Sequence, residues 1–157
     1  MEDVMATAEI RAIVESAARH ADIDKALAEV QRKVAVDGGG ARVGEAVGDL
    51  AAVLRADADH ECRRIYPAVR RNVTGGCQLV AHGLRAHSYL SRCLDELAAC
   101  PPHAPQYGTL LGNLRVAFRD HRSDHEERLF VRLRGACRGE RRRSPSGQAG
   151  IPAPRAA

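Results

Sequence analysis

The stretch Arg119 to Phe130, RDHRSDHEERLF, places His121, His125 and Glu126 within a little over one helical turn of one another. Imidazole and carboxylate side chains at that spacing can ligate a metal, and whether they do depends on what the other helices bring to meet them. Asp57 and Glu61 stand four residues apart, and His20 and His87 each sit in the middle of an apolar run. Burying unpaired carboxylates costs several kcal/mol, so Asp57 and Glu61 need a compensating cation or a shifted pKa. A metal ion supplies that cation, and histidine with carboxylate, without thiolate, suits iron or manganese. The plainer alternatives are histidines hydrogen-bonded within a core and a Glu61 paired with Arg63 or Arg64.

Four helical segments must position these groups. Apolar residues recur at three- and four-residue steps through Ile13, Ala17, Ile23, Leu27 and Val30, and the periodicity predicts a first helix from about Ala6 to Val34 that DGGG ends. A second follows Val47, Leu50, Leu54, Ile65 and Ala68 from about Val43 to Arg71, with Pro67 expected to kink or stop it. Val80, Gly83, Leu90, Leu94 and Leu97 define a third from about Gln78 to Ala99, which PPHAP must break. The fourth runs from Gly108 to Cys137 through Leu111, Leu114, Phe118 and Leu129. Short connections and similar lengths predict an all-α fold, an antiparallel up-down-up-down four-helix bundle spanning residues 1–138. Each helix then carries an ionisable group at mid-length on its apolar seam. His60, His82 and His103 lack that placement and read as surface or loop residues.

Composition narrows the class further. Aromatic residues make up 3% of the 157-residue chain and tryptophan is absent, which favours Ala- and Leu-rich helices over sandwiches or barrels. The net charge is +4, but Arg141, Arg142, Arg143 and Arg155 against Glu140 carry most of it in residues 139–157, expected to be a disordered Pro/Ser/Gly tail. The rest is nearly neutral and the arginine run lacks interleaved aromatics, which argues against a nucleic-acid partner. Five cysteines without a CxxC pair, and no apolar span long enough for a membrane, point to a reduced, cytoplasmic protein. A faint repeat links HADIDKAL with HSYLSRCL, and DHECRRIY with DHEERLFV.

Taken together, DHECRRIYPAV and HRSDHEERLFVRLR resemble the hemerythrin-like, or HHE cation-binding, domain, a four-helix bundle that holds a non-haem di-iron centre. The resemblance covers about His20 to Arg134. It implies that His20, Glu61, His87 and His121 are ligands, that Glu61 and Glu126 bridge two irons, and that O2, peroxide or nitric oxide is the exogenous ligand. If that ligand reacts, the protein works as an oxidoreductase; otherwise it is a sensor or store. Two positions depart from the pattern: Asp57 stands where the family expects a histidine, and Gly83 where it expects a further ligand. Asp57 can still bind as a carboxylate, and Gly83 leaves a coordination position open. The competing expectation is a metal-free bundle that acts through protein partners. On an ideal helix Glu126 is about 140° round from His121, whereas His125 is only about 40° away. A local π widening would bring Glu126 inward, and His125 is the alternate ligand.

Overall fold

The computed structural model describes the backbone of residues 2–37 and 40–143, with side chains described for residues 7–36 and 40–139. Every regular element among them is helical. Helix α1 spans Glu2–Asp37 and α2 spans Ala41–His60; a π-helical turn, Glu61–Ile65, carries α2 without a break into α3, Tyr66–Asn72. Helix α4 spans Gly76–Ala99 and α5 spans Tyr107–Ser123, and a second π turn, Asp124–Leu129, leads from α5 into α6, Phe130–Arg143. The chain therefore forms four helical rods, matching the four periodic segments of the sequence.

Pro67 does not stop the second rod. It falls in the first turn of α3, just beyond the wide turn, where the regular helical bonding it cannot continue is already interrupted. Gly75, with φ of 73°, supplies the left-handed residue that turns the chain into α4. Helix α6 continues to Arg143, so the arginines expected at the start of the tail belong to a helix; residues 144–157 lie outside the described residues.

Helix α1 packs along α2 and also meets α5 and α6, α4 packs along α5, and α3 touches α4 and α6. The apolar core is divided. One cluster gathers Ile23, Leu27, Val30, Leu50, Leu94, Leu97, Leu114 and Phe118. The other gathers Ile13, Ile65, Tyr66, Val69, Val80, Leu129, Phe130 and Leu133. On each rod the ionisable residues fall between those two sets, at the level where apolar packing is interrupted.

Candidate metal centre

Each rod contributes to the layer between the clusters. Helix α1 presents His20 and Ser16, the second rod Asp57, Glu61 and Tyr66, α4 His87, and the fourth rod His121 and His125. His20 and Glu61 are 0% exposed, and Asp57, His121 and His125 are 2% exposed. A π turn, closed by i to i+5 bonding, brings residues five apart onto one face. The first one lets Tyr66 Oη reach back to Glu61 Oε2 at 3.1 Å.

The layer has two differently satisfied halves on either side of Glu61. In one half, His20 Nε2 lies 3.3 Å from Glu61 Oε1 and 3.6 Å from Asp57 Oδ2. His121 Nε2 lies 3.8 Å from Asp57 Oδ2 and 3.7 Å from Glu61 Oε2, too far for hydrogen bonds. Among the described residues, neither ring nitrogen of His121 nor Asp57 Oδ1 finds a hydrogen-bond partner. Ligand atoms of His20, Asp57, Glu61 and His121 all lie within 4.8 Å of one another, and this buried group could hold a metal ion. In the other half, Glu61 Oε2 accepts from His87 Nε2 at 2.9 Å and from Tyr66 Oη, and faces His125 Nε2 at 3.1 Å. Tyr66 Oη also stands 3.1 Å from His125 Nε2 and 3.4 Å from His87 Nε2.

The outer nitrogens set the inner ones. His20 Nδ1 lies 2.9 Å from Glu126 Oε1, and His125 Nδ1 lies 2.9 Å from the His121 carbonyl oxygen. A carboxylate or carbonyl oxygen can only accept, so both Nδ1 atoms donate. A neutral ring then turns a bare Nε2 lone pair toward the oxygens of Glu61, and two lone pairs at that range require a proton or a cation between them. This orientation by an outer acceptor is the one seen in metal-binding histidines.

The protein-family models, the curated proteins and the solved structures yield no match to this chain.

Electrostatics in the metal-free state follow the same division. Burial opposes charge on Glu61, but hydrogen bonds from His125, His20 and His87 outweigh it and hold the carboxyl well below its ordinary range. Burial likewise opposes charge on His20, where the hydrogen bond to Glu61 and the charges of Asp57 and Glu61 together raise its pKa. His121 goes the other way: burial dominates, Asp57 offsets only part of it, and the charge of His125 adds to the lowering. Tyr66 is pushed upward by burial and then by the charge of Glu61, so its phenol stays protonated beside that carboxylate.

All seven residues singled out in the sequence lie in or against this layer, with different placements. His20, Asp57, Glu61 and His121 form the tight group; His87 and His125 complete the second half. The widening expected near His121 is present as the second π turn, and Glu126 stands outside the tight group. It sits on the outer nitrogen of His20, with its side chain 30% exposed, and also accepts from Arg122 Nε at 3.0 Å. Arg122 is itself paired with Asp24.

Two contributors escaped the sequence reading. Tyr66 occupies the space that Gly83 leaves: a Cβ on Gly83 would overlap Tyr66 Oη. The signal was available, because a missing ligand at position 83 leaves a void that the tyrosine of RRIYP is long enough to fill. Ser16 donates to Glu61 Oε1 at 3.1 Å, and its position four residues before His20 places it on the same face. His60, expected at the surface, is 8% exposed, with Nε2 3.0 Å from the Ala12 carbonyl oxygen. Its place three residues after Asp57 puts it on the buried side. His82 and His103 are exposed, as expected.

Proposed function

We propose that this chain is a hemerythrin-like metalloprotein that binds iron between four antiparallel helices arranged up-down-up-down. Short connections between consecutive rods and the packing of α1 on α2 and of α4 on α5 support that arrangement. The observation that carries the metal reading is His121, a buried imidazole with no hydrogen-bond partner among the described residues, facing two carboxylates at 3.7 and 3.8 Å. Leaving such groups unpaired costs about 1–3 kcal/mol each, more for charged ones, and an ion held by His20, Asp57, Glu61 and His121 would satisfy them together. Nitrogen and oxygen donors favour iron, with manganese as the substitute.

A second ion, bound by His87 and His125 on the other side of Glu61, would make Glu61 the bridge. Tyr66 would then have to release its hydrogen bond to Glu61 Oε2. Iron bound there supplies an attachment point for O2, peroxide or nitric oxide. The chain's own residues hold Nε2 of His20 and His125 inward and keep a phenolic proton on Tyr66 next to Glu61.

Elemental analysis and an absorption spectrum of protein purified without chelator or affinity tag test this reading. Iron bound at about one or two ions per chain, and lost in Glu61→Ala and His121→Ala, is the expected result. No retained metal after anaerobic iron loading overturns it and leaves the metal-free reading, in which the hydrogen bonds of Tyr66 are the finished state of the layer.

A further inference from the structure

Outside the buried layer, a cleft of about 590 Å³ opens between α4 and the rod formed by the second π turn and α6. Its two walls are helical ridges. Gln78 and His82 stand one turn apart on α4, facing Asp124, Arg128 and Arg132, which follow one another at four-residue steps. Leu79 and Leu129 also line it, giving an apolar surface between polar edges.

The charges along these edges do not balance. Among the described residues lining the cleft Asp124 is the one carboxylate, and it is already shared: His82 Nε2 lies 2.6 Å from Oδ2, and Arg128 Nη1 donates to Oδ1 at 2.9 Å. Among the described residues, Arg132 has no carboxylate within ion-pair distance. At the same end, the N-cap of α4 is Gly75, which offers no side-chain cap, so the positive end of a 24-residue helix adds to the field of the arginines. A volume of this size, with apolar lining and a few convergent polar groups, suits a small organic ligand. An anionic head would supply the counter-charge that Arg132 lacks.

We propose that this cleft binds a small organic oxyanion, its head between Arg128 and Arg132 and its apolar body against Leu79 and Leu129. The site is separate from the metal centre: His125 closes one side of the cleft but is 2% exposed and turns its Nε2 inward. Its occupation does not depend on a metal.

The test is a titration of the full chain with phenyl phosphate, benzoate and benzylamine, followed by calorimetry and by amide chemical shifts of Gln78 and His82. At least one of the two anions should bind saturably and weaken with added salt, and the tighter one identifies the head as phosphoryl or carboxylate. Arg132→Gln should weaken that binding about tenfold, as loss of a charge-assisted contact does, with thermal midpoint and metal content unchanged. Failure of both anions to saturate, equal affinity in Arg132→Gln, or equally tight binding of benzylamine overturns the proposal.

Discussion

Glu61, itself 0% exposed, accepts from Ser16, His87 and Tyr66 and faces His20 and His125 across short gaps. Truncating it removes the carboxylate common to both halves, so Glu61→Ala should abolish bound iron, read as metal stoichiometry. Removing one member of a buried charged network costs about 3–5 kcal/mol, which urea denaturation of the metal-free protein would register. Tyr66→Phe is milder: it takes one hydrogen bond from Glu61 Oε2 and should cost about 1–3 kcal/mol by the same measurement. The pH response of the metal-free protein follows from Glu61 as well. Its folded pKa lies below the ordinary 4.5, so its stabilisation is present above pH 4.5 and is lost as pH falls toward the folded value. His20 has the opposite sign, its contribution being full below 6.5 and lost as pH rises through its raised value. The thermal midpoint should therefore drop steeply below pH 4.5, and Glu61→Gln should flatten that acid limb. The four residues of the tight group were legible in the sequence because burial of the seam is periodic and each breaks that period with an ionisable group. Tyr66 was not, since its role depends on a gap in another helix.

The two π turns begin within or next to the repeated Asp-His-Glu segments, yet the repeat does not impose equal roles. In the first, Glu61 enters the layer and His60 turns away to the Ala12 carbonyl; in the second, His125 enters and Glu126 stays outside. Periodicity sufficed to find the rods, their seams and the breaks at TGG and PPHAP, because these depend on local backbone preferences. It could not settle which neighbour of a pair faces inward, because a widened turn shifts the phase and depends on packing across rods. Two glycines mark close approaches between the second rod and α4. A Cβ on Gly76 would overlap the backbone carbonyl of Val69, whereas one on Gly83 would meet the end of the Tyr66 side chain. Gly83→Ala should then cost about 1–3 kcal/mol as Tyr66 shifts, and Gly76→Ala more than that, since a backbone atom cannot swing aside. Urea midpoints of the two variants measured together check the order; equal values would show that α3 moves freely against α4.

In the proposed reading, an ion held between the two apolar clusters would join α1, the second rod and the fourth rod through His20, Asp57, Glu61 and His121, and α4 as well where His87 takes part. An ion that binds the folded chain alone stabilises it by about 2.7 kcal/mol when free metal exceeds the dissociation constant a hundredfold. For a chain of this size each kcal/mol moves the thermal midpoint by roughly 2–4 °C. Chelator should therefore lower the midpoint of metal-loaded protein by roughly 5–10 °C while leaving helix content by circular dichroism intact at low temperature, because both apolar clusters persist. The increment must also depend on pH. Metal ligation requires neutral imidazoles, and His20, whose pKa is raised in the metal-free fold, holds a proton that the ion has to displace. Lowering pH through 6.5 should shrink the difference between loaded and chelated protein, and His20→Gln should weaken that pH dependence along with the increment. A chelator effect that stays constant across this range would mean that the stabilising ion sits elsewhere, away from the histidines between the two cores.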